Sequence, residues 1–318
     1  MRKIKIDGSW FEFQHGTDVE GKYWNFEFRK FTHEQWKELL RDMAGIGMEY
    51  IVLMSSALDG RTFYKSERFE SFPLEHPNPM ETMFAAADEL DLKVFVSNDF
   101  FGSWSDPELM FTDENIRSLR IAATEEIAGK FAHHKSFYGW YLPNEASIFP
   151  YFSETFLKYV NMNSQLIRSL TPGKKTLVAP FGTFRSKPDD VFCRQLEALD
   201  VDVIAYQDEV GVRKANVDWT PYFFEQLRKA HDKVGRSSMW ADVEVFSFEE
   251  SVYTSALFPA DFSRVRKQLE CVAPFVDRIL IYQYPGLMSR PGSKAFTPNR
   301  PAEKLYRDYE AYLKNCEK

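Results

Sequence analysis

Two glutamates stand at the ends of apolar runs in this chain. Glu145 closes Gly139-Trp140-Tyr141-Leu142-Pro143-Asn144-Glu145, and Glu244 closes Trp240-Ala241-Asp242-Val243-Glu244. Each run reads as an aromatic-rich strand ending in a carboxylate. In the second, period-two alternation puts Trp240, Asp242 and Glu244 on one face and Met239, Ala241 and Val243 on the other. A carboxylate on a buried strand face is costly unless it is hydrogen-bonded, paired or put to use. Two carboxyl groups brought to one place can divide a reaction between them. One, kept protonated by burial and by its charged neighbour, delivers a proton to a leaving oxygen. The other, ionised, attacks carbon or activates water, and glycoside hydrolysis needs such a pair. The ordinary structural alternatives are a carboxylate near a helix N-terminus for Glu145, and for Glu244 an ion pair with Arg236 or a neighbouring Lys.

The elements that must position this pair repeat along the whole chain. Strand-like runs are Ile6 to Phe13, Met48 to Ser55, Leu92 to Ser97, Phe137 to Leu142, Thr176 to Pro180, Val201 to Tyr206, Ser238 to Val243 and Arg278 to Tyr282. Helical runs separate them and carry recognisable ends, such as the N-cap Thr32, the Asn78-Pro79 start and the Thr171-Pro172-Gly173 stop. Eight strand-helix units in 318 residues predict a single (β/α)8 barrel over residues 1–318, with its site at the C-terminal ends of the strands. A doubly wound open sheet is the competing architecture, but no Gly-rich dinucleotide fingerprint or P-loop follows any strand. Long strand-to-helix links follow strands two, three, seven and eight, and such loops on one face build a barrel's site. Strands four and seven lie nearly opposite in an eight-stranded barrel, so Glu145 and Glu244 can flank one bond.

Other strand-end residues are candidates to bind a substrate. Trp104, Tyr206, Tyr282 and Tyr284 offer rings that stack on sugar faces, although core packing is the competing role for each. Asn98, Asp99, Gln207, Asp208, Asp242, Gln283, Gln14 and His15 offer groups that bind hydroxyls. Asp208-Glu209 is the fallback catalytic pair if Glu244 points away.

At these residues the chain resembles a known group. Asn144-Glu145 after strand four, with Glu244 after strand seven, looks like the retaining glycoside hydrolases of clan A. The resemblance implies that Asn144 contacts the sugar 2-hydroxyl, Glu145 is the acid/base and Glu244 the nucleophile. A likeness over nearly the whole chain runs through Asp7-Gly8-Ser9-Trp10, Trp36, Asp42-Met43, Gly45-Ile46-Gly47-Met48 and Ile51-Val52-Leu53. It is to a bacterial family of glycosidase-like barrels labelled as a domain of unknown function, and it implies carbohydrate metabolism. One departure is Tyr282-Gln283-Tyr284 at the end of strand eight, where clan A commonly has Trp.

Composition narrows the alternatives. A net charge of −7 and no basic run argue against nucleic acid. No apolar stretch is long enough to span a membrane, and Met1 to Asp7 has no apolar run behind its basic residues, so the chain as written reads as cytoplasmic unless an export signal was removed. Cys193, Cys271 and Cys316 lack metal-ligand spacing, no Gly-x-Ser-x-Gly elbow is present, and no cofactor or metal is expected. Two other functions compete. A metal-dependent sugar isomerase or hydrolase would need several His, Asp and Glu at strand ends, yet of the 6 His only His15 lies near one. A non-catalytic carbohydrate-binding barrel would keep the aromatic cleft without the paired carboxylates. Oligomeric state, sugar identity and linkage are not encoded in any motif.

Overall fold

The computed structural model describes residues 4–98, 101–102, 106, 108–297 and 299–315. Eight parallel strands close into a barrel: β1 (Gly8–Phe11), β2 (Tyr50–Leu53), β3 (Lys93–Ser97), β4 (Phe137–Tyr141), β5 (Lys175–Val178), β6 (Val203–Gln207), β7 (Ser238–Glu244) and β8 (Arg278–Tyr282). Each strand pairs with its neighbours in chain order, and β1 joins β8 through Gly8↔Leu280 and Ser9↔Ile281. Helices α1 (His33–Gly45), α2 (Pro79–Glu89), α3 (Glu114–Phe131), α4 (Glu154–Leu170), α5 (Asp190–Ala198), α6 (Thr220–Val234), α7 (Phe262–Val272) and α8 (Arg300–Asn315) follow the strands in turn. The (β/α)8 expectation holds, and each barrel strand and helix lies within a few residues of its expected place.

Local chemistry explains the boundaries. Thr32 and Gln35 form a reciprocal capping box at the start of α1. Asp113, Ser153, Asp189 and Asp261 each accept backbone N–H bonds at the starts of α3, α4, α5 and α7.

Alternation divides the core in two. Tyr50, Val52, Val203, Ala205 and Trp240 point into the lumen, whereas Ile51, Leu53, Ile204, Tyr206, Met239, Ala241 and Val243 pack outward against the helices. The lumen is plugged by rings: Tyr50 and Phe95 meet Trp240 edge-on, and Trp10 meets Tyr141 at 4.6 Å. Gly139 makes room for this plug, since a Cβ there would lie 2.8 Å from the Phe95 ring and 2.4 Å from the Lys175 carbonyl. A site can therefore sit only above the plug, at the strand C-termini.

Two small antiparallel hairpins rise from that end. Ala57–Leu58 pairs with Arg61–Thr62 after β2, and Phe246–Phe248 pairs with Leu257–Pro259 after β7. The long link after β8, by contrast, is drawn down against α1, where Arg290 and Ser293 both bind the buried Asp42.

Candidate active site

A cavity of about 670 Å³ opens above the plug, within the size range of small-molecule sites. Trp10, Gln207, Asp242, Glu244 and Tyr282 of the strands line it, together with residues from the links after β1, β2 and β4 to β7. The Gly- and Pro-rich link after β8 supplies none of its wall. Among the described residues no group of three or more His, Cys, Asp and Glu side chains is arranged to hold a metal ion.

Glu145 and Glu244 both line this cavity. Helix α4 begins at Glu154 and is capped by Ser153, so Glu145 does not serve its N-terminus. Arg236 pairs with Asp200 instead of Glu244. Among the described residues neither glutamate is ion-paired to a Lys or Arg. Burial pushes Glu145 up to about 7, against the opposing pull of hydrogen bonds from Gln207 and Tyr141 and the charge of Lys214; Glu209 adds to the rise. Burial raises Glu244 well above the usual carboxylate range too, and its neighbours Asp208, Asp242 and Glu209 raise it further. The Val212 N–H donates to Glu244 Oε2 at 2.7 Å and favours its ionised form. Gly211 is required beside it, because a Cβ there would stand 2.8 Å from Glu244 Cβ.

The other expected residues divide. Gln14, His15, Gln207, Asp242 and Tyr282 line the cavity. Tyr206 does not: it sits on the outward face of β6, fully buried, with its hydroxyl donating to His231 Nε2 at 3.0 Å. Asp208 turns away from the cavity, accepting from the backbone N–H of Glu244 and of Val210 and from Gln268 Nε2 on α7. It braces the strand that carries Glu244 rather than facing a ligand. Asn98 is buried against α4, its Nδ2 donating to Asn163. Asn144 is absent from the cavity wall, and its Oδ1 accepts from the buried Arg120 of α3. Gln283 is also behind the wall, donating to Glu12 at 2.6 Å, and Tyr284 is buried in the outer core. Asp99 and Trp104 lie outside the described residues.

Sequence reasoning missed part of the wall. Glu12 ends the first strand's run and points inward, where Trp24 and Gln283 donate to it. His15 lies between Glu12 and Glu20, with ring nitrogens 3.1 and 3.0 Å from their carboxylates. Burial alone would lower His15, but the two glutamates outweigh it and hold the imidazole up at about 10. Phe181, Phe246, Phe248 and Tyr253 supply aromatic surface beside Tyr282. Period-two alternation continued past Trp10 would have found Glu12, and continued past Glu244 would have found Phe246 and Phe248; Phe181 and Tyr253 lie outside any strand or helix, where no periodicity marks them.

The model of a domain of unknown function, DUF4434, matches residues 6–295. No curated protein matches the chain. Among solved structures, a "putative alpha-L-fucosidase" from Bacteroides thetaiotaomicron superposes with a TM-score of 0.74 at 18% identity, covering 98% of this chain and 94% of that one. An endo-1,4-beta-mannanase from Rhizomucor miehei superposes with a TM-score of 0.59 at 11% identity over 98% of this chain and 95% of its own. An endocellulase from Pyrococcus horikoshii gives 0.59 at 14% identity over 99% and 93%. These likenesses show a fold shared with glycoside hydrolases.

Proposed function

The chain belongs to the DUF4434 family, and on that premise we propose that it is a glycoside hydrolase acting with retention of anomeric configuration. The observation that carries the reading is that Glu145 and Glu244, from β4 and β7, line one cavity without a cationic partner among the described residues. Aromatic walls suited to the C–H faces of a sugar support it, as does the fold held in common with a mannanase and an endocellulase.

Glu145, protonated at and below about pH 7, gives its proton to the glycosidic oxygen as the bond from that oxygen to the anomeric carbon breaks. Glu244, as its carboxylate, attacks the same carbon and forms a glycosyl ester. Glu145, now ionised, takes a proton from water, whose oxygen displaces Glu244. The Val212 N–H stabilises Glu244 each time it carries charge.

The test uses aryl glycosides of several neutral sugars. Glu145→Gln and Glu244→Gln are each expected to lower turnover by about 10²-fold or more while the thermal transition persists. Azide added to Glu145→Ala should give a glycosyl azide of retained configuration, and added to Glu244→Gly one of inverted configuration. Wild-type rates in either Gln variant remove that residue from the reaction. Sugar binding with no cleavage of any glycoside would instead make the barrel a carbohydrate-binding protein.

A further inference from the structure

We infer that Glu209 and Asp242 read the sugar held in the cavity, and that they select a neutral or amino sugar over an acidic one. This rests on the reading of the cavity as a carbohydrate site, and it adds the class of sugar.

Glu209 stands two residues beyond β6 with a left-handed backbone, φ 55°. That conformation costs a non-glycine residue roughly 1 kcal/mol. It is 1% exposed, yet its side chain lines the cavity. The backbone N–H groups of Gly182 and Thr183 both donate to Oε2, at 2.8 and 2.9 Å, and fix the carboxyl group in place. Oε1 has no hydrogen-bond partner among the described residues. Asp242 stands on the inward face of β7, 3% exposed and lining the cavity; the Trp10 indole N–H faces its carboxyl group, but by geometry Oδ1 accepts no hydrogen bond among the described residues. Buried polar atoms are almost always satisfied. Two unsatisfied carboxyl oxygens on one cavity wall therefore mark where a ligand brings donors.

Sugar hydroxyls and an ammonium group are such donors. A uronate or sulfate would set more acceptor oxygens against them, and like charge whenever either is ionised. The cavity's cations do not alter this. His15 is already engaged by Glu12 and Glu20. Lys214 is exposed and lies over the Phe181 and Tyr253 rings, at 5.1 and 5.4 Å from their centroids, and its charge already acts on Glu145 and Glu209, so an incoming anion would compete with two carboxyl groups for it.

The substitution Glu209→Gln tests this with little change of shape. Gly182 and Thr183 still require an acceptor, so the amide oxygen takes the place of Oε2 and the NH2 group takes that of Oε1. An acceptor facing the sugar becomes a donor. Binding is measured by calorimetry in the Glu145→Gln background, with glucose, mannose, galactose and L-fucose, glucosamine and galactosamine, and glucuronate and galacturonate. A neutral or amino sugar is expected to bind at least ~10-fold more tightly than either uronate, and Glu209→Gln to weaken that sugar by about 10-fold or more. Asp242→Asn makes the same exchange if the first variant does not fold, and the panel on Glu145→Gln alone already decides the selectivity. Preference for a uronate, an unchanged affinity for the preferred sugar in the Glu209 variant, or no binding of any sugar overturns the inference. Because the readout is binding, sugars that bind but are never cleaved would sink the hydrolase reading and leave this one standing. Cleavage with a preference for uronides would do the reverse.

Discussion

At the scale of single residues, the cavity holds more carboxyl groups than it can keep charged. Glu145 and Glu209 are each raised to about 7, first of all by burial. For an acid whose folded-state pKa is raised, stability is fully present below the unfolded value and is lost as pH rises through the folded one. For Glu145 that window runs from about 4.5 to about 7. Glu145→Gln should therefore melt higher than the wild type above pH 7, by a few degrees, and match it near pH 4; calorimetric scans across that range check it. The same proton should control rate: kcat/KM falls above about pH 7 as Glu145 ionises, and this alkaline limb should vanish in Glu145→Gln. Glu145, Asp242 and Glu244 were legible in the sequence because alternation and strand ends have a fixed geometry. Asn98, Asn144 and Asp208 were not, since a strand-end polar group can turn to the cavity or to a neighbouring helix. Only the partners, Asn163, Arg120 and Gln268, decide which.

At the scale of elements, the links after the strands do the positioning. His15 ties the link after β1 to the wall, clasped by Glu12 and Glu20 and fixed through its N–H to Asn25. Its raised pKa of about 10 reverses the sign argued for Glu145. The clasp is complete below the free-histidine value of 6.5 and is lost as pH climbs through about 10. Amide protection in residues 14–24, taken relative to the intrinsic exchange rate at each pH, should fall over that interval in the wild type, and already be low at pH 7 in His15→Asn. The link carrying Gly211 is equally demanding. Gly211→Ala is expected to lower kcat about 10-fold or more by displacing Glu244, with a modest change in melting temperature. Thr32→Ala, far from the site, should cost about 1 kcal/mol of stability and leave kcat alone. The Thr32 cap, the Asn78-Pro79 start and the Gly173 stop were readable because capping chemistry is local. The two hairpins and the short helix Asn25–Phe28 were not, because they are too short to show a period.

At the scale of the whole molecule, the ring-filled lumen and the cavity meet at Trp10, which lines the cavity and packs on Tyr141 of the plug. Removing a ring from the plug should loosen the floor of the site as well as the core. Trp240→Ala is expected to cost about 3–5 kcal/mol, read by denaturant melts, and to raise KM through a softened floor. The barrel was legible from eight regular units, whereas the distribution of its loops was only half so. A Gly- and Pro-rich composition marks a long link but not the side it falls on, and the bonds of Arg290 and Ser293 to Asp42 settle that. The hairpin after β7 begins at Phe246, two residues past Glu244. Arg264 of α7 donates to the carbonyls of both Glu244 and Phe246. The hairpin that shapes one wall and the carboxylate proposed to attack are thus a single mechanical piece. Remodelling of that wall to admit a new glycan would drag Glu244 with it. It would disturb the link after β1 too, which the hairpin holds through the Leu257 N–H to the Glu20 carbonyl and through Glu249 to Lys22. The evolvable side of this pocket is therefore the one built by the link after β2.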